Sequence, residues 1–275
     1  MKRRTIVFIC VVFFVGLSIL LYPTISNYVN RFHQERAISE YDQIVSRLSA
    51  KDYSAIWEKA NAYNARLLQK ENRFRLSQEE EKEYNSILNI NEDKIMGYIE
   101  IKKLGIKISI AHGMSDAVLE ESIGHMEGSS MPCGQQDSHA VLVGHRGLPS
   151  AKLFTDLDQM REGDIFTLHI LDKVFTYQVC QIKIVEPDQM DDLEIVKGKD
   201  YVTLVTCTPY AVNTHRLLVR GERIETIGEE SGAEDNDAMG DKKSFRLLEN
   251  APIIAASVLL LIFVIVIVKF IKMRK

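Results

Sequence analysis

The chain lacks the parts on which several common chemistries depend. It contains no HExxH, no paired CxxC and no P-loop, and Glu127-Gly128-Ser129-Ser130-Met131 does not match G-x-S-x-G. These gaps argue against a zincin, a dithiol redox protein, a P-loop NTPase and a serine hydrolase. The scattered His and Cys residues have no metal-ligand spacing, so neither metal nor cofactor is expected. No basic stripe crosses the middle of the chain, which argues against nucleic acid as a partner, and the formal net charge of −4 adds little. There are no internal repeats. Proline is scarce: none stands between Thr24 and Met131, and no Asp-Pro occurs at all. Cysteine is scarce too, with Cys10, Cys133, Cys180 and Cys207 only.

Charge is missing altogether from two stretches, residues 5–22 and 251–268. Eighteen helical residues at ~1.5 Å each reach roughly 27 Å, close to the ~30 Å hydrocarbon core of a bilayer. The first stretch follows Lys2, Arg3 and Arg4; the second precedes Lys269, Lys272, Arg274 and Lys275. The bland reading of the first is a cleaved signal peptide, but the stretch is long and Pro23-Thr24-Ile25-Ser26-Asn27 offers no small-x-small site. The bland reading of the second is a buried core helix, but it has no polar face. With basic clusters on the outer ends of both, the positive-inside rule places both termini in the cytoplasm and residues 28–250 outside a two-pass membrane protein. Three cysteines then lie outside. At least one is unpaired, and a Cys133–Cys180 disulfide stays open.

Between those stretches the period of the apolar residues changes once. From Ala37 to Glu83 it is helical: Ile38, Tyr41, Val45 and Leu48 form one set, and Ile56, Ala60, Tyr63 and Leu67 another. Lys51-Asp52-Tyr53-Ser54 is expected to separate them, and the 79–83 charge run reads as a solvated face. From Gly97 the period is two. Strands are expected at 98–104, 107–111, 140–144, 165–171, 174–185, 201–207 and 216–224, with one short helix at 151–160. Seven or eight short strands and little helix predict a mainly β barrel or sandwich with one core. Residues 228–241 are acidic with almost nothing apolar, and read as a flexible linker.

Three runs carry chemistry. Thr203-Leu204-Val205-Thr206-Cys207 ends an apolar strand on a thiol. Arg216 opens another such strand nine residues later, and Ala140-Val141-Leu142-Val143-Gly144-His145 ends a third on an imidazole. Thiol, imidazole and guanidinium at strand termini are the parts of a thiol acyl-transfer site: nucleophile, proton carrier and oxyanion partner. With ordinary pKa values, ~3% of thiols are ionised and about a quarter of imidazoles protonated at pH 7, so only ~1% of molecules carry both charges. A nearby cation would raise that share. The bland alternatives are a buried core cysteine, a turn histidine and a surface strand arginine. Cys180, inside an alternating strand, reads as such a buried cysteine. His112 and His125 have settings similar to His145, and Arg220 competes with Arg216. The residues alone do not separate them.

Thr203–Cys207 matches the TLxTC signature of the sortase family. The stretch from Cys207-Thr208-Pro209-Tyr210 through Asn213-Thr214-His215-Arg216-Leu217-Leu218-Val219-Arg220-Gly221 resembles the class C, pilin-polymerising kind, as does Gly144-His145-Arg146-Gly147-Leu148-Pro149 through Phe154. The similarity covers roughly 95–225. It implies a closed eight-stranded β-barrel with short helices, preceded by a helical extension and flanked by two transmembrane helices. The expected divisions are 1–28 signal-anchor, 29–94 helical extension, 95–227 catalytic barrel, 228–250 linker and 251–275 second membrane helix with a basic tail. The resemblance places the catalytic roles on His145, Cys207 and Arg216. It also implies cleavage of an LPXTG-like sorting signal between Thr and Gly, a thioacyl-enzyme, and an isopeptide bond to an acceptor lysine on the next pilin subunit. A cell-wall precursor amine is the alternative acceptor. Many class C enzymes carry an Asp-Pro-aromatic lid before the barrel; here Asn72-Arg73-Phe74 stands in about that region instead.

Overall fold

The computed structural model describes residues 3–90 and 94–225, together with Ser257, Leu260 and Phe263. The acidic linker lies outside the described residues, as does the second apolar stretch apart from those last three. The first helix, α1, is Arg3–Val45 and runs through Pro23 without a break. It is long and apolar enough to cross a membrane: its most apolar window has a mean hydropathy of 2.4 and none of it is buried. The chain divides into two compact units, and the description below concerns the one spanning Asn30–Ile227.

In that unit the end of α1 is followed by α2, Ala50–Leu67, and α3, Gln78–Ser86. Residues 51–54, expected to separate two helical sets, are instead the first turn of α2. Ser49 caps the helix: its hydroxyl accepts from Asp52 N (3.3 Å), and the Asp52 carboxylate accepts from Ser49 N (2.9 Å). Ser77 and Glu80 close the same reciprocal box at α3; Glu79, Glu80 and Glu81 fall in its first turn, and Glu79 and residues 81–83 are exposed.

Eight strands follow. They are β1 (Ile95–Ile101), β2 (Ile106–His112), β3 (Ile123–His125), β4 (Ser138–Val143), β5 (Ile165–Ile170), β6 (Lys173–Val185), β7 (Asp200–Thr208) and β8 (His215–Ile224). A short helix, α4 (Asp116–Glu121), links β2 to β3. The sheet closes in the order β1-β2-β3-β4-β7-β8-β6-β5. Two of its pairings, β2/β3 and β4/β7, are parallel. Ile99, Ile110, Leu142, Phe166, Leu168, Tyr177, Val202, Leu204 and Val219 belong to the interior core.

The seven expected strands are present with shifted ends, and β3 was not expected; three residues are too few to show a period. The helix expected at 151–160 is absent. Turns and a single 3-10 turn, Leu157–Gln159, take its place, and Leu153 has a φ of 33° that no α-helix contains. Leu153, Phe154 and Leu157 are buried nonetheless, so the apolar pattern marked a burying segment and not its backbone.

The helices share the barrel's core through Ile38, Tyr41, Trp57, Ala60, Tyr63 and Tyr84. Buried polar side chains set the register. The Tyr41 hydroxyl donates to Met96 O (2.9 Å) and accepts from Leu171 N (2.8 Å). Asn64 clasps both backbone groups of Met131, accepting at 2.7 Å and donating at 2.9 Å. Trp57 Nε1 donates to the Asp172 carboxylate (2.8 Å) while its ring edge meets Phe175. Each bond satisfies a backbone or ring group that burial would otherwise strand.

Candidate active site

Strand parity puts Val202, Leu204 and Thr206 of β7 toward the interior and Thr203, Val205 and Cys207 toward the outside. Cys207 therefore stands on the outer face, one residue from the strand end, half-buried. Its Cα partner on β8 is Arg216. Arg216 Nη1 donates to the carbonyls of His215 (3.0 Å) and Asn213 (3.2 Å), which holds the guanidinium against the β7–β8 connection.

His145 reaches this row from the other side. β4 and β7 pair in parallel up to Val143↔Val205. The pairing then continues past the end of β4: Gly144 N donates to Val205 O (3.0 Å), and Thr206 Oγ1 donates to Gly144 O (2.7 Å). His145 is two residues beyond Val143 as Cys207 is two beyond Val205. The backbone row at this end of the barrel thus runs His145, Cys207, Arg216. A Cβ at Gly144 would stand 2.6 Å from Ile123 Cδ1 and 2.7 Å from the Phe154 ring, so only glycine lets the chain pass between them. Thr206 belongs to the TLxTC stretch, and its buried hydroxyl tethers the residue before His145. Sequence reasoning missed it, although a polar residue at an interior position of an apolar strand was a signal.

The competing residues are engaged elsewhere. His112 is buried, with Nδ1 2.8 Å from Lys94 O and Nε2 2.6 Å from Ile87 O; burial pulls its pKa down. His125 is fully buried between Ser130 O (2.9 Å) and the Tyr84 hydroxyl (3.0 Å), and burial drives its pKa to about 4. His139, held by Glu194 O and Thr203 Oγ1, is likewise driven to about 4 by burial. Arg220 stacks over the Tyr201 ring, donates to Asp192 O and stands 3.7 Å from that aspartate's carboxylate.

All four cysteines are free. Cys133 is buried, and burial pushes its thiol up to about 12. Cys180, expected to be buried, is exposed. The β6–β8 register shifts between Val179 and Gln181, so Cys180 is the extra residue of a bulge, next to the inward-facing Val179.

Beside the row lies a second apolar cluster: Val141, Val185, Val205 and Leu218 on the outside of β4, β6, β7 and β8, with Leu193 from the 3-10 turn Asp191–Leu193. Phe74, Met126, Val143 and Met190 pack against it. Val205 and Leu218 are each two residues from Cys207 and Arg216 on the same faces, so this apolar surface leads to the thiol. Phe74 belongs to the Asn72-Arg73-Phe74 segment that precedes the barrel. Its neighbour Arg73 is buried, stacks over the Phe74 ring at 4.3 Å, and donates to Leu193 O (2.5 Å) and Gly128 O (3.3 Å). Among the described residues no group of three or more His, Cys, Asp or Glu is placed to hold a metal ion.

Comparison with known proteins gives one answer. The family model for the sortase domain matches residues 99–224. Sortase A of Streptococcus agalactiae serotype III (strain NEM316) is 32% identical over 146 residues, 52% of this chain. The chain spans only 58% of the length of that curated relative. The crystal structure of sortase C1 from Streptococcus agalactiae is 50% identical with a TM-score of 0.68, covering 70% of this chain and 99% of that one. Sortase C of Clostridium perfringens, solved with the C-terminal cell wall sorting motif, is 42% identical with a TM-score of 0.61, covering 70% and 99%. Sortase C of Streptococcus pneumoniae, described in terms of catalysis and pilin substrate specificity, is 40% identical with a TM-score of 0.61, covering 70% and 97%.

Proposed function

The chain belongs to the sortase family of cysteine transpeptidases, and from that premise we propose that it is a membrane-anchored pilin polymerase acting on LPXTG-like sorting signals. The observation that carries the proposal is the row His145, Cys207, Arg216 at one end of the barrel, next to an apolar cluster on its outer side. The 50% identity to a sortase C1, and the pilin and sorting-motif associations of the other two sortase C structures, favour this substrate class.

In the proposed reaction the Cys207 thiolate attacks the carbonyl between Thr and Gly of the sorting signal. The carbonyl oxygen takes up negative charge, and the Arg216 guanidinium donates to it. His145, as the imidazolium, gives its proton to the departing glycine amine as the C–N bond breaks. A thioacyl-enzyme remains. The lysine amine of the next pilin subunit attacks the thioester and His145 takes its proton. The C–S bond breaks, leaving an isopeptide bond and the thiolate.

The anchoring is part of the same proposal. Residues 1–28 and 251–275 would cross the membrane with both termini inside, the helices of 29–94 and the barrel of 95–227 would stand outside, and 228–250 would link the barrel to the second membrane helix. The long apolar α1 supports the first of these segments.

The test is reaction of residues 30–227 with a pilin bearing an LPXTG-type signal, wild type beside Cys207→Ala, followed by denaturing gel and mass spectrometry. A thioacyl adduct on Cys207 and a covalent ladder, both lost in the variant, are expected. An adduct that yields one product with a cell-wall amine and no ladder would replace the pilin acceptor with the cell-wall precursor. No adduct with any amine would refute the transpeptidase reading.

A further inference from the structure

We propose that Arg146 is a positioning residue that locks the His145 loop to the end of the Cys207 strand; the inference rests on the transpeptidase reading and deepens it. Arg146 follows His145 in the row that prolongs β4 beside the end of β7, past the last Cα pair, Val143↔Val205, and the Gly144 N–Val205 O bond. Its side chain is only 8% exposed, which a strand-end arginine does not reach without built-in partners. Nη1 donates to Thr208 Oγ1 at 3.3 Å, directly across that row. Nη2 forms an ion pair with Asp158 in the 3-10 turn Leu157–Gln159. The guanidinium also stands 5.8 Å from the centre of the Tyr210 ring.

Thr208 itself is buried and is the residue after the nucleophile, so the bond from Arg146 fixes the separation of the two chain segments that carry imidazole and thiol. The rest of the loop is tied to the same turn region. His145 O accepts from Phe154 N (3.2 Å), and Gly147 N donates to Thr155 Oγ1 (3.1 Å). Gly147 has a φ of 78°, and a Cβ there would stand 3.0 Å from the Tyr210 ring, so the ring lies directly on the loop. The Arg146 Nε is enclosed without an acceptor among the described residues.

A thiol and an imidazole must keep their geometry to a fraction of an ångström. A displacement of ~1 Å can cost on the order of 10²-fold in rate. The test uses the full-length protein in detergent with an LPXTG-type peptide, measuring thioacyl formation on Cys207 against pH for wild type, Arg146→Gln, Arg146→Lys and Asp158→Asn. The expected result is a kcat lower by on the order of 10²-fold for Arg146→Gln with KM nearly unchanged, and an altered pH profile. Arg146→Lys should recover part of the loss, because an ammonium can meet Asp158 or Thr208 but not both in one plane. Asp158→Asn removes a half-exposed partner without opening the interior; it should shift kcat in the same direction by less, and it decides the matter should Arg146→Gln fail to fold. Wild-type kcat and pH profile in the variants would overturn the proposal. So would a loss that tracks only the fraction of folded protein. A wild-type protein that forms no Cys207 adduct would instead overturn the transpeptidase reading, and the role of Arg146 with it.

Discussion

Arg216 and Arg220 stand four residues apart on the same outward face of β8, and their partners distinguish them. Arg216 is the cross-strand partner of Cys207, while Arg220 pairs across to Thr203 and is occupied by Asp192 and the Tyr201 ring. Arg216→Gln is therefore expected to lower kcat by on the order of 10²-fold or more, the scale of losing one oxyanion donor. Arg220→Gln should leave kcat within a few fold and lower stability instead; equal losses of kcat in both would contradict the assignment. The buried histidines make a second prediction. His125 and His139, both near 4 against an ordinary 6.5, stay neutral in the fold while the unfolded chain takes up protons below 6.5. Stability then falls as the pH drops from about 6.5 toward 4. Asp200 acts the other way: burial raises it to about 6 from 3.8, so the folded chain holds the extra proton between those values and gains stability on acidification. The histidines, with His112 lowered by burial in the same direction, outnumber the one aspartate, so stability declines on acidification from pH 7 to 4. Urea midpoints across that range should decline; a flat or rising midpoint would show that these histidines titrate normally.

At the scale of elements, most strands were legible because alternation is a local property. The length of β7 and β8, and the outward placement of Cys207 and Arg216, follow from parity along each strand. The 151–160 segment shows the limit: Leu153, Phe154 and Leu157 satisfy a helical spacing, yet Leu153 is left-handed and the segment turns tightly beneath the His145 loop. Asn72-Arg73-Phe74 stood out only by its position before the barrel; the packing of Phe74 could not be read, since it depends on a cluster built from segments distant in sequence. Phe74 covers the apolar surface that leads to Cys207, held by its stack with Arg73. Phe74→Ala should uncover that surface, raise the alkylation rate of Cys207 severalfold and lower KM for a sorting peptide. Peptide mapping by mass spectrometry would separate Cys207 from the exposed Cys180. An unchanged rate would mean that Phe74 does not restrict access.

The whole molecule depends on helices and barrel sharing one core. Tyr41 exchanges bonds with Met96 O and Leu171 N, and both backbone groups lose their partner in Tyr41→Phe. The expected cost is about 1–3 kcal/mol, read from urea unfolding of residues 30–227. A fragment that begins at residue 50 would also lose Ile38, Tyr41 and Val45 from the core and should be far less stable than the one beginning at 30. Comparable midpoints for the two fragments would show that the end of α1 is dispensable. The sequence by itself determined the helical-then-β division, the uncharged stretches and the residue types of the candidate site, because hydrophobic period, charge and motif spacing act over a few residues. The residue types alone left the histidine open and the motif resemblance put it at His145; what only the tertiary structure decided is where the three candidates lie relative to the thiol strand. His112, His125 and His145 have like neighbours along the chain, but β4 lies parallel to β7 and carries His145 to Cys207, while the other two are sealed among backbone carbonyls. That placement rests on strand pairing between segments some sixty residues apart, which hydrophobic period and charge along the chain do not encode.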